Sequence, residues 1–203
     1  AGASIVHVHA RDPETGKPSS DVELYRKMAK GIKDQCDAIF CPTTGGSVDR
    51  TVEEAAKVVS ELEPEMATCN LGSMNFGLYP MARRIDEYKY DWEKDYLEGT
   101  KDMIFANTFE DLEKLFPIMQ EAGTRPELEC YDVGHIYNLS QVFRDGFIDA
   151  PLRIQFVMGI LGGIGTHPSD LIHMKDTADR LFDDKYSFSV MAGGRHEFPV
   201  CSL

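Results

Sequence analysis

The sequence predicts an α/β protein of the (β/α)8 barrel class. Two observations point there. Short apolar runs alternate with amphipathic stretches along the chain, which is the pattern of parallel β/α units. The polar, glycine-rich residues follow the strands rather than the helices, as in barrels whose sites are built on the loops at the C-terminal ends of the strands. A doubly wound open sheet is the other arrangement such alternation allows, but no dinucleotide fingerprint follows the first strand. A full barrel takes roughly 250 residues. The 203 residues here are therefore expected to form a single barrel domain over 1–203, incomplete at both ends. The absence of an initiator Met, the opening straight into a strand and the Phe198-Pro199 helix start at the other end fit that expectation.

The elements follow in order. Residues 4–9 read as a strand. In it, His7 and His9 share one face while Val6 and Val8 take the other, because strand side chains alternate. Leu24, Met28 and Ile32, four apart, predict a helix over 21–34. A short strand over 38–41 runs into Pro42-Thr43-Thr44-Gly45-Gly46. Thr51 then caps a helix that reaches 62, with Glu53 and Glu54 in its first turn. The strand over 66–71 ends at Gly72-Ser73-Met74-Asn75-Phe76-Gly77. Residues 78–100 are charged and aromatic and read as a loop insertion or lid. A short apolar piece at 103–106 precedes a helix over 109–122. A strand over 128–131 precedes a helix around 136–143, with Asp132 placed to cap it. The strand over 152–158 leads through a glycine-rich loop into a helix over 168–182, and a last strand covers 187–191.

Composition narrows the function classes. A hydrophobic content of 42% supports a packed core. The net charge of −13 speaks against nucleic acid or an anionic membrane as a partner. Five cysteines without framework spacing read as reduced, buried thiols, consistent with a cytoplasmic protein.

Several strand ends carry candidate chemistry. Two imidazoles converging at a strand end can hold a divalent metal with an open position for substrate, or can be satisfied by backbone groups. Thr43, Thr44, Gly45 and Gly46 offer hydroxyls and N–H groups to an anion, or form a capped turn. Ser73 and Asn75 can hydrogen-bond a carboxylate, or make a polar turn. Glu129 lies inside an apolar strand, where a carboxylate is costly unless paired or liganded. The glycine-rich run 159–165 is a weak phosphate-loop candidate without the Walker ending.

Taken together, these segments resemble the β-keto acid cleavage enzymes, the 3-keto-5-aminohexanoate cleavage enzymes among them. The resemblance rests on an ordered set: His-Val-His-Ala-Arg-Asp-Pro at 7–13, Thr-Thr-Gly-Gly at 43–46, Ser-Met-Asn-Phe-Gly at 73–77, Pro-Glu-Leu-Glu-Cys-Tyr-Asp-Val-Gly-His at 126–135, Gln-Phe-Val-Met-Gly at 155–159 and Gly-Gly-Arg-His-Glu-Phe-Pro at 193–199. It implies a TIM barrel binding Zn2+ through His7 and His9, with acetyl-CoA as co-substrate. It implies a reverse-Claisen exchange that turns a β-keto acid and acetyl-CoA into acetoacetate and a new acyl-CoA. Thr43 and Glu129 take catalytic or substrate-directed roles in that reading. Thr44, Gly45, Gly46, Ser73 and Asn75 line the substrate, and a homotetramer is expected. The family's third zinc ligand, a glutamate in a Gly-Leu-Glu-Asp-Asn segment with a catalytic aspartate beside it, is not among these residues. An upstream arginine and a first-strand glutamate are missing as well. Two other readings remain: a metal hydrolase of the amidohydrolase type, which also uses His-x-His but needs further late histidines, and a non-catalytic barrel fragment.

Overall fold

A computed structural model describes residues 2–45 and 51–203. Its architecture is mixed α/β with parallel strand pairing, that of a partial (β/α)8 barrel. The described residues fall into two compact units, 1–70 with 110–127 and 71–109 with 128–203.

The first unit holds β1 (Ile5–Val8), α1 (Val22–Lys33), β2 (Ile39–Pro42), α2 (Val52–Leu62), β3 (Met66–Asn70) and most of α5 (Phe109–Glu121). β1 and β2 pair in parallel, with His7 opposite Cys41 and Val8 opposite Pro42. The helices start where their caps dictate. The Asp21 carboxylate accepts the Glu23 N–H at 2.9 Å. Thr51 and Glu54 form a reciprocal capping box on α2, satisfying two otherwise orphaned N–H groups. Tyr25, Phe40, Val59, Ala67, Leu112, Phe116 and Met119 are buried in this unit.

The second unit holds β4 (Met74–Asn75), α3 (Tyr79–Ala82), α4 (Trp92–Gly99), β5 (Ile104–Phe105), α6 (Val133–Arg144), β7 (Leu152–Met158), α7 (Pro168–Phe182), β8 (Tyr186–Ala192) and α8 (Glu197–Cys201). β6 (Arg125–Cys130) begins in the first unit and ends in the second. β6, β7 and β8 are parallel neighbours, with Glu129 opposite Gln155 and Gln155 opposite Ser189. Asp132 caps α6 as expected, accepting the Gly134 N–H at 3.0 Å. Ile154, Phe156, Met158, Met174 and Ala178 are buried in this unit.

Three details differ from the sequence reading. Residues 78–100 carry the short helices α3 and α4 rather than loop alone, with Trp92 stacked on Tyr90 and edge-on to Tyr96. The apolar piece at 103–106 is one arm of a two-residue antiparallel ribbon, Met74 and Asn75 against Phe105 and Ile104. β6 starts three residues earlier than expected and so takes in Glu127. Among the described residues, no helix is long and apolar enough to cross a membrane.

Candidate functional site

In the first unit, the strand places the two histidines on one side, as their spacing requires. The rings of His7 and His9 stand edge to face with centroids 4.8 Å apart. His7 Nδ1 lies 3.1 Å from the carbonyl oxygen of Cys41, its register partner on β2. A carbonyl only accepts, so Nδ1 carries the proton and Nε2 keeps the lone pair. That is how a metal-ligating imidazole is oriented and its tautomer fixed. Burial pushes the His7 pKa below its usual value, outweighing the support from the carbonyl, so the imidazole is neutral and able to act as a ligand near pH 7.

Two residues that the sequence reading did not place at a site stand beside His7. Cys41 is fully buried, Glu127 is 4% exposed, and their Sγ and Oε2 lie 3.7 Å apart. One donor atom from each of His7, Cys41 and Glu127 lies within 4.8 Å of the others. The signal for Glu127 was present: Glu127-Leu128-Glu129 alternates with the strand period, so both carboxylates belong to one face of β6. Reading the strand from 128 hid it. Of the five cysteines expected to be buried, Cys41, Cys69 and Cys130 are, whereas Cys36 and Cys201 are exposed.

The loop after β2 is held by its own hydroxyls. The Thr43 N–H donates to Val8 O at 3.1 Å, joining the loop to the end of β1. Thr43 Oγ1 donates to Gly45 O at 3.3 Å and accepts the Gly45 N–H at 3.1 Å. Thr44 Oγ1 donates to Thr68 O at 2.6 Å, and the Thr44 N–H donates to Thr68 Oγ1 at 3.2 Å, which fastens the loop to β3. Gly46 lies outside the described residues.

In the second unit, Glu129 is 7% exposed and its Oε2 accepts the Tyr131 hydroxyl at 3.1 Å. Burial, with the Glu129 charge adding to it, raises the Tyr131 pKa well above its usual value, so the phenol stays a donor. The Tyr131 N–H in turn donates to His135 Nδ1 at 3.2 Å. Ser73 Oγ accepts the Asn107 N–H at 2.9 Å, which leaves the serine's own hydrogen to offer.

Asn75 sits on β4, directly under the glycine-rich loop. A Cβ at Gly162 would collide with the Asn75 carbonyl oxygen and lie 2.6 Å from its carbon. A Cβ at Gly163 would lie 2.5 Å from Tyr131 O. The Ile164 N–H donates to that same oxygen at 2.7 Å. Gly162 and Gly163 thus serve close backbone packing over Asn75 and Tyr131, while Gly159 and Gly165 lie against the side chains of Thr166 and Asp170. The helix that follows is capped by His167 and Asp170 rather than left open.

The family model for beta-keto acid cleavage enzymes matches residues 1–203. The chain is 48% identical over 202 residues to a 3,5-dioxohexanoate:acetyl-CoA acetone transferase of Paraburkholderia graminis, covering 100% of this chain and 65% of that protein. It is 33% identical over 204 residues to a 3-keto-5-aminohexanoate cleavage enzyme of Acetoanaerobium sticklandii, covering 100% of this chain and 64% of that protein. It thus spans less than two thirds of the length of either relative. Among solved structures, the apo form of ObcA superposes with a TM-score of 0.68 at 15% identity, over 100% of this chain and 50% of that one, which supports the fold. The ordered motifs and the match along all 203 residues place the chain in the beta-keto acid cleavage enzyme family.

Proposed function

We propose that the protein cleaves a β-keto acid by reverse-Claisen exchange with acetyl-CoA, at a Zn2+ ion held by His7 and His9. The observation that carries the metal part is the pair of imidazoles on one side of β1, one of them oriented through Nδ1 by a backbone carbonyl. The residues fit such an ion: neutral imidazole nitrogen is a favoured zinc donor, and a thiol and a carboxylate lie beside it. When bound, the metal polarises the keto group and neutralises charge on the substrate.

The chain's own residues supply the rest. Thr43, or a water it orients, moves a proton at the substrate's C2, and its hydroxyl is already held in place by Gly45. Gly45 allows close approach of the substrate at this loop. Thr44 contributes by fixing the loop to β3. Ser73 donates to the substrate carboxylate, and Asn75 contributes its side-chain amide. Glu129, held by Tyr131, faces the polar group at the far end of the substrate. Balanced over the exchange, the bond between C2 and C3 of the keto acid breaks. The acyl part goes to CoA, and the released two-carbon carboxylate joins the acetyl group as acetoacetate.

The relative named for 3,5-dioxohexanoate makes that acid the first substrate to test. From it the exchange would yield acetoacetyl-CoA and acetoacetate. An amine-bearing acid such as 3-keto-5-aminohexanoate is the second, because a carboxylate at Glu129 suits a cationic tail. A cytoplasmic homotetramer belongs to the same proposal. The test is metal content and turnover of the protein as its gene encodes it, beside His7→Ala and His9→Ala. Near-stoichiometric zinc and turnover, both lost in either variant, are expected. Retention of zinc and activity in both variants would overturn the assignment.

A further inference from the structure

We propose that Asn107 and Asn138 are positioning residues for Ser73: from two different elements they fix the loop 71–73, so that the serine hydroxyl is held ready for the substrate carboxylate. This inference rests on Ser73 meeting that carboxylate, as set out above, and it adds two residues that belong to no motif of the sequence.

Geometry carries it. β4 and β5 form a short antiparallel ribbon, with Met74 opposite Phe105 and Asn75 opposite Ile104. Ser73 precedes β4 and Asn107 follows β5, so the two meet at one end of the ribbon. There the Asn107 N–H donates to Ser73 Oγ at 2.9 Å, and its Nδ2 donates to Gly72 O at 3.3 Å. One residue thus grips both the Ser73 side chain and the backbone before it. Asn138, on α6, holds the preceding carbonyl: its Nδ2 donates to Leu71 O at 2.8 Å. His135, one turn earlier on the same helix, fills the remaining space. A Cβ at Gly72 would lie 2.7 Å from His135 Nε2 and 2.9 Å from Asn138 Nδ2, so only glycine lets the loop sit this close to α6. All of these residues belong to the second unit.

The chemistry follows from the hydroxyl. A serine Oγ has one hydrogen and two lone pairs, and it turns about its side-chain bond until partners fix it. The Asn107 N–H occupies a lone pair and leaves the hydrogen to be given to a ligand. Ser73 is exposed while Leu71 and Gly72 behind it are buried, so that hydrogen is within a ligand's reach. A hydroxyl that already accepts a hydrogen bond is polarised and donates more strongly. Ordering it before the ligand arrives also removes the cost of ordering it on binding. Both asparagine side chains use an amide hydrogen on a backbone carbonyl, so their effect on a ligand passes through the loop they hold.

The experiment is calorimetric titration of the protein, as its gene encodes it, with acetoacetate, the keto acid that every exchange of the proposed type releases. Ser73→Ala, Asn107→Ala and the double variant complete a cycle. Asn107→Ala should raise the Kd about three- to tenfold, the effect of one lost neutral hydrogen bond, with the number of sites per chain unchanged. In the Ser73→Ala background the same substitution should change the Kd by less than about twofold, because the hydroxyl it positions is gone. A merely structural role would instead lower the number of sites and the melting temperature, and would act equally in both backgrounds. Should Asn107→Ala not fold, Asn138→Ala takes its place in the cycle with the same expectation. Where Ser73→Ala itself weakens binding, an asparagine effect that is absent, or undiminished in the Ser73→Ala background, would overturn the positioning role and leave Ser73 on the substrate. A Kd unchanged by Ser73→Ala would overturn the serine contact and the positioning role with it. No binding of acetoacetate to the unaltered protein would overturn the keto-acid reading itself, and this inference too.

Discussion

Replacing Gly162 by Ala should both destabilise the protein and impair substrate binding. Gly162 has φ +114°, a conformation that L side chains rarely adopt. A strained backbone of this kind costs on the order of 1–3 kcal/mol. The added methyl would also collide with the Asn75 carbonyl oxygen, lie 2.6 Å from its carbon and 3.1 Å from its Cβ. None of these atoms is the far end of a flexible side chain, so the strand must move, and overpacking of this sort costs about 1–3 kcal/mol more. The sum, about 2–6 kcal/mol, is a large share of the roughly 5–15 kcal/mol that holds a typical protein folded. With a urea slope of about 2 kcal/mol per molar, the unfolding midpoint should fall by at least about 1 M. Because the displaced residue is Asn75, which we place on the substrate, KM should rise even at temperatures where the variant remains folded. The paired assay is urea unfolding followed by circular dichroism, with steady-state kinetics on the same sample. An unchanged midpoint with unchanged KM would show that the loop does not press on β4 and would refute the packing argument.

Two further outcomes are expected. Gly31→Ala lies within α1, where an added Cβ meets no atom within 4 Å, so it should stabilise the fold by about 0.5–1 kcal/mol in thermal or urea unfolding; a loss of stability would contradict the helix assignment there. The pKa of His135 is lowered chiefly by burial, and its Nδ1 accepts a backbone N–H that a protonated ring could no longer satisfy. The stability it contributes is therefore fully present above its unfolded pKa of about 6.5 and is lost as pH falls from there through the lowered folded value. His135→Gln should decline less steeply between pH 7 and 5 than the unaltered protein, whereas superimposable profiles would remove His135 from the acid response.

Much of this fold is written in local patterns. β7 and α7 coincide with the sequence reading because an apolar run ends in glycines and Pro168 opens the next helix. Thr51 and Asp132 were legible as caps because their side chains accept from N–H groups two or three residues on. The same local logic fails where tertiary partners decide. Arg125-Pro126-Glu127 lies before the strand expected over 128–131, yet it is strand, and the Arg125 N–H donates to Glu65 O at 3.0 Å, a pairing invisible from its neighbours in sequence. The helices in 78–100 bury no residue and so show no apolar stripe to find. The two-residue strands β4 and β5 are too short to display a period of two.

The candidate site divides in the same way. His7 and His9 follow from strand alternation alone, and Glu129 from the cost of a carboxylate in an apolar run. Cys41 beside His7 depends on the register of β1 against β2, which no spacing in the sequence reveals. Glu127 needed only the correct start of β6. The packing of Gly162 on Asn75 spans a long stretch of chain, so no local pattern around the loop reveals it.

The central claim is the exchange reaction, and isotopic labelling tests it most directly. The protein as its gene encodes it would be given a β-keto acid and acetyl-CoA carrying carbon-13 in the acetyl group, with products read by mass spectrometry. The account predicts the label in acetoacetate and an unlabelled new acyl-CoA, both forms lost in His7→Ala and His9→Ala. Label recovered only as free acetate, or retained in acetyl-CoA while the keto acid is consumed, would contradict it.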